Sequence, residues 1–229
     1  MSLINPDVDR LDRELVESFE GIPTAILSDV LGARAAVMDS GIDPIYSGIE
    51  MAGTALTVKA VPGDNLIIHK AITVAEPGDV IVIDGKGYTE TAYLGELMSA
   101  SCEAHDLSGI IVDGAIRDRA EIEEIGFPVY ARGVHPKGPL KHAPGSINVP
   151  VTCGGATVAP GDIVVGDDEG VVVVPPNDVE ATLESAREKQ AAERILRERV
   201  EDGEYLYDIG NYDEVLEDPD VTEPDDSVS

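Results

Sequence analysis

Short apolar runs separated by glycine- and proline-marked breaks fill most of this chain, and their period changes along it. Near the start, Leu11, Leu15 and Phe19 recur at a spacing of four. A Gly21-Ile22-Pro23 break follows, and Thr24 stands where an N-cap would open a second helix ending near Gly32. From Ile49 onward the runs become short and rich in β-branched residues, at 55–61, 80–83, 109–112, 129–131, 163–165 and 171–174. Helical character lies between them at 65–75, 91–105 and 119–125, with Pro-Gly, Asp-Gly and Gly-Gly pairs as punctuation. Strands alternating with helices predict the mixed α/β class.

One element recurs. Pro77-Gly78-Asp79 and Pro160-Gly161-Asp162 are each followed by four residues and a further aspartate, Asp84 and Asp167. Proline and glycine set a turn, the first aspartate can accept from the turn backbone, and a strand then carries the second carboxylate to its far end. This is a structural repeat rather than a catalytic one. Farther on, Asn177 and Glu180 have capping-box spacing and open a helix through Val179, Leu183, Ala186, Ile195 and Leu196 to about Val200. Its apolar stripe is incomplete and its other face is dense in Glu and Arg, which suits an exterior or subunit-interface helix. We expect one domain over 1–200 and an acidic extension over 201–229, partly disordered and most so over 218–229.

Composition narrows the partners. The chain carries 45 acidic against 16 basic residues, a formal net charge of −29, with carboxylates spread along its length. Such a field repels nucleic-acid backbones and anionic bilayers and strains a compact state by self-repulsion unless salt screens it. A halophilic cytoplasm accounts for it best. Cys102 and Cys153, the two cysteines, belong to no Cys/His cluster and read as reduced, buried small hydrophobes. Residues 1–20 lack a leader pattern and no apolar run approaches the length of a membrane span, so a cytoplasmic location is expected.

Candidate chemistry concentrates in Asp113-Gly114-Ala115-Ile116-Arg117-Asp118. An apolar run ends in Asp-Gly and then presents a guanidinium beside a carboxylate, the pairing needed to hold an anionic substrate next to a divalent cation. Successive strand side chains point to opposite faces, so the pair can act together only where the strand has ended; a turn at Asp113-Gly114 would provide that. Twenty residues, 97–116, separate Glu96 from Arg117, and Glu121 follows Asp118 by three.

Glu-x20-Arg-Asp resembles the motif of the RraA-like family, which includes class II 4-hydroxy-4-methyl-2-oxoglutarate aldolases. The resemblance spans roughly 20–200. Its further fragments come in the family's order: 24–32, 52–58, Pro62-Gly63-Asp64-Asn65-Leu66, Ala131-Arg132-Gly133 and 170–175. It implies a compact β/β/α swivelling-domain-like sandwich with a C-terminal helix, assembled as a homotrimer or hexamer with sites between subunits. It also implies a divalent-metal-dependent carbon–carbon lyase that cleaves 4-hydroxy-2-oxo acids to pyruvate and a second 2-oxo acid, with oxaloacetate decarboxylase side activity.

By the same resemblance, Asp118 would ligate Mg²⁺ or Mn²⁺, and Arg117 would hold the 2-oxo oxygen or carboxylate and stabilise the enolate. Backbone amides of Gly95, Glu96, Leu97 and Met98 would cradle the substrate carboxylate, and free N–H groups at a helix start are suited to that. Glu96 would orient waters around the metal, one of which could relay the C4 proton. Some family members have Asp there, which bears on metal choice and rate. Glu121 is either a partner of the site or a first-turn helix carboxylate.

The histidines, His69, His105, His135 and His142, have no metal-binding spacing. His135 and His142 share a loop with Lys137 and Lys141, a basic cluster that is either a solvated loop or an attractor of anionic substrate. Walker-type and Gly-x-Ser-x-Gly motifs are absent, as is a glycine-rich turn for S-adenosylmethionine. The alternative to an enzyme is a non-catalytic regulator, since some proteins of this family inhibit a ribonuclease. Retention of Glu96, Arg117, Asp118 and Glu121 argues against that alternative.

Overall fold

The computed structural model describes residues 2–216, so the expectation of disorder over 218–229 lies outside the described residues. The residues fall into two compact units, one ending at Ala186 and the other beginning at Arg187.

The first unit is built on a nine-stranded sheet. Its strands are β1 (Ala36–Val37), β2 (Asp43–Pro44), β3 (Met51–Lys59), β4 (Asp79–Ala92), β5 (Gly109–Ile116), β6 (Val129–Val134), β7 (Ser146–Ile147), β10 (Ile163–Asp167) and β11 (Gly170–Val174), while β8 (Val151–Cys153) and β9 (Ala156–Val158) form a separate hairpin. The order is β1-β11-β10-β3-β4-β5-β6-β2, with β7 added to β3. Neighbours from β3 to β6 are parallel, and the remaining pairs are antiparallel. Parallel neighbours need crossovers, and α3 (Leu66–Ile72), α4 (Glu96–Glu103) and α5 (Arg119–Ile125) supply the three. Every residue of β5 is buried, as expected of a sheet covered on both faces.

Two apolar clusters result. One packs the crossover helices and Ile42 against Leu56, Ile81, Ile83, Ile111 and Tyr130. The other joins α1 (Arg13–Glu17) and α2 (Thr24–Leu31) to Ala52, Val165, Val172 and Val174 through Phe19 and Leu27, and includes Leu183 at the start of α6 (Val179–Glu201). Both cysteines are free and buried. Burial pushes the Cys102 thiol up to about 12.

Several local expectations are corrected. Thr24 is the first residue of α2 rather than its cap, because Asp167 acts from another strand: its carboxylate accepts from the Thr24 N–H at 2.8 Å and from the Thr24 hydroxyl at 2.7 Å. A 3₁₀ turn, Pro176–Asp178, stands where the Asn177 capping box was expected. Strand β4 runs past its apolar core to Ala92, so α4 starts at Glu96, five residues later than the sequence pattern placed it. The turn of the repeated Pro-Gly-Asp element is as its residues imply, with Asp79 accepting from Glu76 N at 2.9 Å and Asp162 from Ala159 N at 2.7 Å. Asp167 ends β10 as expected, whereas Asp84 lies inside β4, which continues to Ala92.

In the second unit, the rest of α6 continues to Glu201, where Arg199 pairs with Glu204. Two short helices follow, α7 (Leu206–Ile209) and α8 (Asp213–Leu216). No helix among the described residues is long and apolar enough to cross a membrane.

Candidate active site

The carboxyl ends of β4 and β5 converge on one place, the position where parallel sheets present loops to ligands. Asp113 and Gly114 do not form the expected turn; both lie buried within β5. The pairing of β5 slips on both sides at this point, with shifts between Ile83 and Tyr88 on β4 and between Val112 and Ala115 against β6. Such bulges re-aim the residues that follow. The strand ends at Ile116, and Asp118 takes the left-handed conformation at φ 59° and ψ 42° as N-cap of α5. Aspartate tolerates that conformation better than most residues. The chain therefore breaks its strand after Ile116, four residues later than expected, and both side chains reach the same site.

The partner segment is fixed to this break by backbone bonds. Tyr93 N donates to Ala115 O at 2.8 Å, and Arg117 N donates to Leu94 O at 3.0 Å. Glu96 N then donates to Asp118 Oδ2 at 3.3 Å, and Arg117 Nε donates to the same oxygen at 3.2 Å. A Cβ on Gly95 would fall on Asp118 Oδ2 and lie 2.9 Å from Arg117 Cγ, so a side chain there would push both groups aside. Thus Gly95, Glu96, Arg117 and Asp118 are brought into direct contact.

The groups left free define what the site can hold. The Arg117 Nη groups and the Glu96 carboxylate have no hydrogen bond among the described residues. The Met98 N–H turns back on Gly95 O at 3.2 Å, whereas the Gly95 and Leu97 N–H groups have no acceptor among the described residues and are left for an anion at the helix start. Met98 is buried and Leu97 is 77% exposed. Glu121 is exposed in the first turn of α5 with no polar contact to Arg117 or Asp118, so the structure does not bring it into the cluster.

Among the described residues no three His, Cys, Asp or Glu side chains form a metal-binding group. The donor set suits a hard cation held by one protein carboxylate, as Mg²⁺ often is, with water and substrate oxygens completing its shell. Asp118 offers that carboxylate, which packs closely against Gly95 in the space a Cβ would take.

Two supporting structures were not legible in the sequence. Asn65 Nδ2 donates to Tyr93 O at 2.9 Å, its Oδ1 is buried without a partner, and Tyr93, fully buried, donates through its hydroxyl to Gly85 O at 2.7 Å. The second is an ion-pair network in which Arg132 donates through Nε to Asp113 and through both Nη groups to Asp39, at 2.9 and 2.8 Å. These bonds, first that to Asp39, hold the guanidinium proton more firmly than usual. Asp113 Oδ2 also accepts from Gly154 N at 3.4 Å, which ties β5 to the β8–β9 hairpin. A turn motif at Asp-Gly and an isolated Ala-Arg-Gly gave no hint that Asp113 and Arg132 pair.

The loop after β6 closes over the same end of the sheet. His135 N donates to Ile116 O at 2.8 Å and Ala92 N to Lys137 O at 2.9 Å, and a Cβ on Gly138 would lie 3.2 Å from Arg117 Nη1. Asp64 anchors its far side, accepting from His142 N at 2.7 Å and Ala143 N at 3.0 Å while also accepting from Leu66 N. Burial works to raise the Asp64 carboxyl, but these three donors outweigh it and hold it below the usual range.

A parallel-centred α/β sheet with an Arg–Asp pair at its carboxyl edge defines the swivelling-domain-like class with a C-terminal helix. The chain belongs to the RraA-like family, described as Aldolase/RraA, which it matches over residues 24–173. It is 38% identical over 189 residues to a Halalkalibacterium halodurans protein whose name provisionally assigns it 4-hydroxy-4-methyl-2-oxoglutarate aldolase activity; the match covers 82% of this chain and 90% of that one. It is also similar to Streptomyces coelicolor RraAS2, described as an unusual member of the RNase ES inhibitor RraA protein family. There the identity is 30%, the TM-score 0.76, and the coverage 83% of this chain and 99% of the other. An uncharacterized Pseudomonas syringae protein has a TM-score of 0.75 at 26% identity, covering 87% and 98%.

Proposed function

We propose that this protein is a divalent-metal-dependent aldolase that cleaves 4-hydroxy-2-oxo acids, such as 4-hydroxy-4-methyl-2-oxoglutarate, to pyruvate and a second 2-oxo acid, and that it decarboxylates oxaloacetate as a side activity. The observation that carries the reading is the contact of Asp118 Oδ2 with the Glu96 amide, which joins a free helix-start N–H, a carboxylate and a guanidinium with open Nη groups in one place.

In this reading the Leu97 amide binds the substrate carboxylate and Arg117 pairs with the 2-oxo oxygen. Cleavage of C3–C4 needs the C4 hydroxyl to lose its proton and the bond's electron pair to be received as an enolate. The Arg117 charge then stabilises the oxyanion where it develops. Glu96, uncommitted to any other group, takes the C4 proton through water, and C3 is reprotonated to give pyruvate. Asp118 would hold Mg²⁺ or Mn²⁺, which when bound supplies Lewis acidity at the 2-oxo oxygen. We further propose a trimeric or hexameric assembly, supported by the exposed Leu97, Leu140, Leu66 and Val61 on segments bordering the site.

The test is pyruvate release from 4-hydroxy-4-methyl-2-oxoglutarate and from oxaloacetate with Mg²⁺ or with EDTA, for the wild type, Arg117→Ala and Asp118→Ala. Turnover that needs metal and is lost in both variants supports the reading. Equal turnover with EDTA, or in Asp118→Ala, would sink it. The similarity to an RNase ES inhibitor family member favours a second reading, a regulator that binds a ribonuclease. A folded protein with no turnover that inhibits ribonuclease cleavage equally well in wild type and Asp118→Ala would favour that reading.

A further inference from the structure

The proposed reaction concerns the pyruvyl end of the substrate and leaves its far end unread. The geometry points to the loop 135–143, and to Lys137 in particular, as the element that recognises a distal carboxylate. This assignment rests on the aldolase reading of the Arg117–Asp118 site.

The loop is not a free surface excursion. Its backbone is tied to Ile116, one residue before Arg117, and to Ala92, three before Gly95, so it bridges the two segments that make the site. Beyond Lys137, Leu140 N donates to Gly63 O at 2.8 Å and Leu140 O accepts from Asn65 N at 3.0 Å. With Asp64 holding His142 and Ala143, the loop is fastened at both ends and in the middle. Gly138 faces the Arg117 guanidinium, and a side chain there would push on it. The Lys137 backbone is therefore fixed next to Gly138, whose Cβ position lies beside Arg117, and its own carbonyl is bonded to Ala92, three residues before Gly95. The His135 ring adds a further hold, accepting from Lys137 N at Nδ1 over 3.1 Å.

Charge gives this placement its meaning. In a chain of net charge −29, a doubly anionic substrate is repelled unless local cations receive it. Lys137 and Lys141 are exposed and neither takes part in an ion pair among the described residues, unlike Lys86 and Lys189. The two differ in surroundings. The charge of Lys141 acts on His69 of α3, adding to the effect of burial in lowering that histidine, whereas Lys137 adjoins the residue facing Arg117. Lys137 is accordingly the specificity residue and Lys141 the control. An ammonium on a flexible stem suits a carboxylate whose distance varies between substrates.

The experiment compares 4-hydroxy-4-methyl-2-oxoglutarate, which has a distal carboxylate, with 4-hydroxy-2-oxopentanoate, which lacks one, in wild type, Lys137→Ala and Lys141→Ala. Binding of 2-oxoglutarate and 2-oxopentanoate is titrated alongside. For Lys137→Ala, KM for the diacid rises about tenfold while kcat/KM for the neutral-tailed substrate stays within about twofold, the size expected of one charge-assisted bond. Lys141→Ala changes neither by more than about twofold, on the same scale. Equal losses on both substrates in Lys137→Ala, or no loss on either, would overturn the assignment. If the wild type cleaves neither substrate, the aldolase reading fails. The assignment is then decided by binding alone: it stands if the wild type prefers 2-oxoglutarate and Lys137→Ala abolishes that preference, and it falls if no preference exists.

Discussion

Asp118 Oδ2 accepts a hydrogen bond from the backbone nitrogen of Glu96, a residue twenty-two positions earlier, at 3.3 Å. That one bond makes the end of β5 and the start of α4 a single structure, and several expectations depend on it.

Gly95→Ala is expected to remove activity while preserving the fold. The new Cβ would fall on the Asp118 carboxylate and the Arg117 side chain, which are exposed and free to shift. A displacement near 1 Å at reacting groups is worth about a hundredfold in rate. Turnover and the thermal midpoint are measured together; a variant as active as the wild type would show that the closeness of Gly95 to Asp118 is unimportant.

Arg132→Ala is expected to destabilise the protein by about 3 kcal/mol, because it strands the largely buried Asp113 carboxylate. Arg132→Lys should recover only part of this, since one ammonium cannot fork to both Asp39 and Asp113. Urea unfolding gives the values. A loss below about 1 kcal/mol for Arg132→Ala would mean that solvent screens the network, as it does for exposed pairs.

Acid should loosen the loop 135–143. The Asp64 carboxyl sits below its unfolded value, so its contribution is fully present above that value and is lost as pH falls through the folded one. Protection factors of the His142 and Ala143 amides, taken relative to their intrinsic exchange at each pH, should therefore fall below about pH 4, near the unperturbed carboxylate range. In Asp64→Asn the same amides should exchange fast already at neutral pH. Unchanged protection in that variant would remove Asp64 as the anchor.

Salt should raise the thermal midpoint. With a formal charge of −29, raising KCl from about 0.1 M to 1 M shortens the screening length from about 10 Å to about 3 Å and relieves self-repulsion. A midpoint that stays flat or falls across that range counts against a chain adapted to high salt.

The six longer strands, β3 to β6, β10 and β11, and the crossover helices were legible because their apolar runs are continuous and bounded by glycine and proline. The two- and three-residue strands β1, β2, β7, β8 and β9 carry too few residues to show a pattern. Helix α5 has the limits its pattern gave, 119–125, since Asp118 and Gly126 bracket it. Less legible was anything produced by contact between distant segments. Asp167 caps α2 from 143 positions away, so Thr24 looked like its own cap. Asp113-Gly114 has turn chemistry, yet pairing on both sides keeps it in a strand and moves the break to Asp118. Arg117, Asp118 and Glu96 were identified through spacing and resemblance. The loop that covers them was visible only as a basic cluster, because its placement depends on Asp64, Gly63 and Ala92.

The left-handed backbone at Asp118 limits how this position can change over generations. Glycine and asparagine enter that conformation at low strain, and branched side chains do not. Each of the two permitted replacements removes the negative charge and leaves α5 free to start where it does. The scaffold can therefore lose the proposed chemistry in a single substitution and remain folded. Descent from an enzyme to a purely binding protein is a short step on this architecture, and the identity of residue 118 is the place to look for it.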